Sequence, residues 1–170
     1  MPATLAAVRA LVQRVSWARI RVGDEVVSQL GSVPFAPEGG LLPAEVLPAP
    51  GLAVLVGVTH TDTDKSAETL ANRLWNLRLL ADEEGRMNRS CAETGGGLLV
   101  VSQFTLYGDI SKGRRPSWLA AAPGEVAEPL VEAVVGALRA LGARVGTGRF
   151  GADMTVELAN EGPATLLVEV

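Results

Sequence analysis

Two short stretches carry the chemistry of this chain. In SQFTLYGD, from Ser102 to Asp109, the side chains of Ser102, Gln103 and Thr105 put two hydroxyls and a carboxamide at the end of a strand-like run, and Gly108 permits a sharp turn. In NEGPAT, from Asn160 to Thr165, Gly162-Pro163 stands between two runs of strand-forming residues. Both stretches fall where a rigid sheet presents backbone groups to a ligand. Neither contains a His, a Cys, a Lys or a carboxylate pair placed for ordinary acid–base or nucleophilic work, so any catalysis must lean on the backbone.

Three readings of the first stretch stand side by side. Ser102 and Thr105 can satisfy backbone groups as the strand ends, the commoner use of such residues. One of them can be a nucleophile, but an activated hydroxyl needs a nearby base. The single histidine, His60, precedes the first helical pattern and reads as a turn or cap residue. Alternatively the strand end is an oxyanion site, with N–H groups aimed at a carbonyl whose charge grows during attack. For Gly162-Pro163, a trans turn is the common state of an X-Pro bond, while a type VI corner requires cis; the residues alone leave this open.

The elements that must position these groups follow from periodicity. Val8–Ser16 reads as a strand leading into a hairpin, whose arms are Ala18–Val22, with alternating Ile20 and Val22, and Glu25–Leu30, joined at Gly23-Asp24. The continuous apolar run Leu52–Val58 suits a strand buried on both faces. Thr61 and Asp64 are spaced as a capping box for a helix over Thr63–Leu80, with Ala67, Leu70, Ala71, Leu74 and Leu77 as its stripe. Leu98–Gln103 is a strand. Val126 to Leu141 forms a second amphipathic helix that stops at Gly142. Met154–Ala159 and Ala164–Val170 are two closing strands joined at a corner, Asn160–Pro163. Pro34–Pro50, with five prolines, reads as a loop insertion and not as a domain linker. Strands and helices do not alternate regularly, so an α+β layout is expected.

Composition sets the outer limits. The 170 residues, 48% of them hydrophobic, fit one domain, residues 1–170, with a sizeable core. The longest apolar run is far shorter than the roughly 20 residues of a membrane span, and no signal-peptide pattern opens the chain. A cytoplasmic protein without membrane contact is expected. The lone Cys91 can neither close an intrachain disulfide nor build a thiolate metal site. Asp82, Glu83 and Glu84 read as a solvated loop, Gly95-Gly96-Gly97 as a flexible turn, and Trp17, Trp75 and Trp118 as core and interface fillers. No metal or cofactor is expected. A net charge of −4 argues against indiscriminate coating of nucleic acid. Lys112, Arg114 and Arg115 in SKGRRPSW are the densest basic cluster, as plausible a phosphate contact as a solvated loop.

Taken together, VQRVSWARIRV, GVTHTDT, NLRLLADEEGRMNRS, VVSQFTLYGD, KGRRPSW, GRFGADM and NEGPATLLVE resemble the bacterial D-aminoacyl-tRNA deacylase family, in the right order from Val8 to Val170. Three features depart from the family pattern: residues 1–7 look like an extension, Pro34–Pro50 looks inserted, and Ala164 stands where Val is more usual. The resemblance implies a compact β-barrel-like mixed or antiparallel sheet with two main helices packed outside. It implies a homodimer with active sites at the interface, hydrolysing the ester between a D-amino acid and the 3′ end of tRNA. In that family a cis Gly-Pro pair, here Gly162-Pro163, enters the partner's pocket and holds the substrate amine with its carbonyls. Ser102, Gln103, Phe104 and Thr105 would form the catalytic strand end, the Phe104 N–H among the oxyanion contacts, and the ribose 2′-hydroxyl would assist the attacking water. The L side chain would clash while glycine would pass, making glycyl-tRNA(Ala) a second substrate. Lys112, Arg114 and Arg115 would hold the tRNA, and DNA would not be a partner.

Overall fold

The computed structural model describes residues 7–35 and 43–170. Strand β1 (Arg9–Val22) is one 14-residue strand, where the sequence suggests two segments. It turns at Gly23-Asp24 into β2 (Glu25–Leu30) as expected, with Val22 opposite Glu25. β3 (Val46–Leu47) lies parallel to β2, so the expected loop insertion contains a short strand; residues 36–42 of that segment lie outside the described residues. Of the expected extension, only Ala7 is described.

β4 (Gly51–Gly57) and β7 (Leu98–Ser102) run parallel through the middle of the sheet, and their alternation divides two cores. Leu52, Val54, Val56, Leu98 and Val100 point toward the helices. Ala53, Leu99 and Val101 point the other way, onto Val15, Ala18, Ile20 and Leu30. A strand buried on both faces needs an unbroken apolar run, and this is why these two segments read that way. β1 changes sides: Ala10 and Val12 join the helix-side core, Val15, Ala18 and Ile20 the other, across register shifts between Gln13 and Trp17.

Two helices cover the outer face. α1 (Asp64–Asn76) buries Ala67, Leu70, Ala71 and Leu74. Its cap is Thr63 with Ser66, not the expected Thr61 with Asp64, and it ends before Leu77, which is already extended. After the β5 (Leu80–Ala81) and β6 (Met87–Arg89) hairpin, a four-residue helix α2 (Cys91–Thr94) is capped by Ser90 and Glu93. Asp82, Glu83 and Glu84 occupy that hairpin's exposed turn. Of the following glycines, Gly95 is open, with nothing within 4 Å of a Cβ there, whereas Gly96 and Gly97 are packed: a Cβ on Gly97 would stand 2.7 Å from Leu47 Cβ. α3 (Gly124–Ala140) packs on α1 through Leu130, Val131, Val134 and Leu138 and stops at Gly142, whose φ is +97°. Burial pushes the Cys91 thiol up to about 12.

The sheet order is β3-β2-β1-β4-β7-β8, where β8 is Val145–Thr147, and β9 (Thr155–Glu169) lies against β1. The sheet curls until Ser28 Oγ of β2 donates to the Thr147 carbonyl of β8 at 2.6 Å. The result is the expected α+β arrangement, a nearly closed, mixed barrel-like sheet with its two main helices outside. β9 corrects one expectation. Met154–Ala159 and Ala164–Val170 are not two strands folded at a corner but halves of one strand, both antiparallel to β1, with Asn160 opposite Val15 and Thr165 opposite Gln13. The residues between bulge out of the ladder.

Candidate functional site

β7 ends at Ser102, and the chain leaves the sheet through Gln103, whose N–H donates to the Val56 carbonyl at 2.7 Å. Phe104–Tyr107 then forms a 3-10 turn, with Leu106 N donating to Gln103 O at 3.2 Å. At the start of such a turn the N–H groups of Phe104 and Thr105 have no partner within it. Thr105 Oγ1 accepts from Gln103 Nε2, which fixes both side chains beside those N–H groups.

The turn is anchored from β1. Arg9 donates to the Leu106 carbonyl at 3.2 Å, lies 4.6 Å over the Tyr107 ring, and pairs with Glu169 at 2.6 Å. Tyr107 is buried and donates to the Ala7 carbonyl. Burial, with the Asp62 and Glu169 carboxylates, pushes its phenol up to about 12 against the opposing pull of Arg9. Phe104, by contrast, is 55% exposed, with Trp118 edge-on at 5.3 Å. Trp118 is not a core filler within its own chain; it is a half-exposed wall beside the turn, 42% accessible.

Ser102, Gln103 and Phe104 form one side of a cavity of about 600 Å³. Phe150 to Met154 form the other side, with Val58, Val101 and Ala127 behind. Sequence reasoning singles out no site residue in GRFGADM, although a lone Phe and Met in a glycine-containing loop are the available signal. Asp153 is the titratable side chain lining this cavity. A second cavity of about 450 Å³ adjoins it between α3 and β7–β8, sharing Val101, Ser102, Phe150 and Met154.

Gly162 and Pro163 line neither cavity. They sit on the exposed bulge of β9, and the bond between them is cis. Arg14 of β1 donates to the Glu161 carbonyl at 3.1 Å and to Leu79 O at 3.2 Å. Asn160 braces the other end, accepting from Ala164 N at 2.9 Å and donating to Thr165 Oγ1 at 2.7 Å. Gly162 has φ +123°, and a Cβ there would stand 2.8 Å from an Arg14 guanidinium nitrogen, so the position demands glycine.

His60 is not among the residues that line the larger cavity; its Nε2 lies 3.0 Å from the Leu119 carbonyl, beside the loop that carries Arg115. Lys112, Arg114 and Arg115 are exposed, and among the described residues none of them pairs with a carboxylate. Their loop is closed at its base by the Asp109–Ser117 backbone pair. Among the described residues there is no cluster of three His, Cys, Asp or Glu that could hold a metal, and no helix long and apolar enough to cross a membrane.

The D-Tyr-tRNA(Tyr) deacylase family model matches residues 11–169. A D-aminoacyl-tRNA deacylase of Thermobifida fusca is 56% identical over 162 residues, covering 95% of this chain and 99% of the relative. One from Streptomyces coelicolor is 54% identical with the same coverage. Among solved structures, a c-Myc DNA unwinding element binding protein superposes with a TM-score of 0.79 at 33% identity, covering 95% of this chain and 98% of that one. A probable eukaryotic D-amino acid tRNA deacylase superposes at 0.76 with 16% identity, covering 96% and 100%, a likeness of fold.

Proposed function

The chain belongs to the D-Tyr-tRNA(Tyr) deacylase family, an ester-hydrolysing family, and from that premise we propose that it removes D-amino acids from tRNA by a mechanism carried on its backbone. The observation that carries this reading is that Phe104, at the start of the 3-10 turn where its N–H has no partner within the turn, lines the larger cavity, while no His, Cys or Lys does. Water adds to the ester carbonyl, and the oxygen that gains charge is held by the Phe104 N–H, with Ser102, Gln103 and Thr105 shaping the pocket. The bond to the ribose 3′-oxygen then breaks and that oxygen takes a proton, the neighbouring 2′-hydroxyl assisting. An aminoacyl ester is already activated, so positioning and charge stabilisation suffice. No metal or cofactor is needed.

Gly162 and Pro163 read the substrate's configuration from the partner subunit, their carbonyls holding the amino group so that an L side chain clashes while D side chains point outward. Three observations support a partner. The bulge lies outside its own chain's cavities, and β9 pairs only with β1 among the described strands. β9 also leaves Leu166 and Leu167 exposed, an edge that proteins rarely leave uncovered. Glycine has nothing to clash, so glycyl-tRNA(Ala) is a second substrate. Lys112, Arg114 and Arg115 hold the acceptor stem. The protein acts in the cytoplasm as a homodimer, without DNA or membrane partners.

Incubation with D-tyrosyl-tRNA and with D-tyrosine ethyl ester, both in excess chelator, tests this reading. Hydrolysis of the charged tRNA well above that of the simple ester, unaffected by chelator, is expected. Equal rates on the two substrates, metal dependence, or abolition of activity in Asp153→Asn would contradict it, the last by pointing to a general base.

A further inference from the structure

The adjoining cavity of about 450 Å³ is not used by the mechanism above, yet it shares a wall with the first at Val101, Ser102, Phe150 and Met154. Its size falls within the roughly 300–1,000 Å³ of small-ligand sites. Its outer wall is a ridge of α3 in which Glu128, Glu132 and Gly136 follow one another at four-residue spacing. Neither carboxylate hydrogen-bonds or ion-pairs with any described residue. A Cβ on Gly136 would meet nothing within 4 Å, so the packing of this chain does not call for glycine there, and glycine weakens a helix interior relative to alanine. The room that Gly136 leaves opens into the cavity.

Resting on the deacylase reading, we propose that this second cavity binds the cytidine preceding the terminal adenosine of the tRNA. Single-stranded RNA ends are recognised by bases stacked on aromatic rings and hydrogen-bonded along their edges. Phe150, which borders both cavities, separates two successive bases. A cytosine amine is a natural donor to a carboxylate, and Glu128 and Glu132 supply two that lack other partners. Arg139, one turn beyond, spends one donor on the Val145 carbonyl at 3.0 Å and has others for the base's acceptor edge. A uracil would turn an acceptor toward the same carboxylates. Every tRNA ends in C-C-A, so a cytosine-selective subsite recognises tRNA as a class without distinguishing its amino acid.

The test uses three small substrates: D-tyrosyl esters of adenosine, of the dinucleotide CpA and of the dinucleotide UpA. The wild type is expected to hydrolyse the CpA ester with a kcat/KM about tenfold above that of the adenosine ester, one stacked and hydrogen-bonded base, with UpA falling in between. Gly136→Trp, which fills the cavity from a position with open space, removes the advantage of CpA over adenosine and leaves the adenosine ester's rate unchanged. Glu128→Gln with Glu132→Gln removes the preference of CpA over UpA. Equal wild-type rates on CpA and adenosine esters, or an equal slowing of both by Gly136→Trp, would overturn the assignment and give the cavity to the adenosine or to neither. No hydrolysis of any of the three esters by the wild type would contradict the deacylase reading itself, and this one with it.

Discussion

Phe104 is where the mechanism can be cut most narrowly, because its N–H and its side chain can be removed separately. Proline is tolerated at the first position of a helical turn, where the N–H has no internal partner. Phe104→Pro therefore deletes the proposed oxyanion donor while keeping the turn, and kcat should fall by about 10²–10³, the usual cost of losing such a donor. Phe104→Ala keeps the donor and removes the ring beside Trp118, so it should be the milder variant. Deacylation assays on both, with circular dichroism to check folding, decide the matter; equal losses would move the role from the backbone to the ring. At this scale the sequence is most legible. Ser102–Thr105 and Gly162-Pro163 can be singled out by residue type, since a hydroxyl-rich strand end and a Gly-Pro pair are local features. Phe150 and Met154 cannot, because they come to the cavity through the curl of the sheet, a long-range event that no local pattern encodes.

Among the elements, β1 and β9 carry the design. Arg19 is 3% exposed and meets Glu157 across the ladder at the register position opposite it, with Arg21 also donating to Glu157 at 3.1 Å. The Arg19 hydrogen bond, then that of Arg21 and both positive charges, hold the Glu157 carboxyl below its ordinary value. A carboxyl depressed in the folded state stabilises it fully above the unfolded value, near 4.3, and loses that contribution as pH falls through the folded one. Glu157→Gln should cost about 3 kcal/mol at neutral pH, by leaving a buried guanidinium without its charge partner. The gap to wild type should close in strongly acidic solution. Urea unfolding at a series of pH values measures this; a gap independent of pH would remove the charge from the account. The loop holding Lys112, Arg114 and Arg115 makes a separate element-scale prediction. Replacing all three with Ala should raise KM for charged tRNA and flatten its log–log salt dependence by roughly one unit for each phosphate no longer neutralised, leaving D-over-L preference alone. An unchanged slope returns the loop to a solvated surface. The periodicities find the central strands and both long helices, because burial on two faces or along one stripe leaves a clear pattern. They misread β9, since a bulge and a hairpin corner share the same signs, a Gly-Pro pair between two apolar runs, and differ only in how the second run pairs.

For the whole molecule, the decisive property is that the pocket and the Gly162-Pro163 bulge do not meet within one chain. If the pocket of one subunit receives the bulge of the other, two inactive variants should rescue each other. Gly162→Ala damages the bulge, where an added Cβ would crowd the Arg14 guanidinium, and a displacement near 1 Å can cost roughly a hundredfold. Phe104→Pro damages the pocket. Mixed dimers contain one site with both parts intact, so activity should return on subunit exchange, while light scattering reports a dimer throughout. No recovery despite exchange would place both parts of each site in the same chain.

The central claim is that this fold hydrolyses tRNA esters by reading the configuration of the amino acid and not its side chain. Deacylation of matched D- and L-tyrosyl-tRNA, under identical conditions and with enzyme in trace amounts, addresses it directly. The account predicts rapid release of D-tyrosine and loss of L-tyrosine only at the spontaneous rate. Hydrolysis of both at similar rates, or of neither, would contradict it.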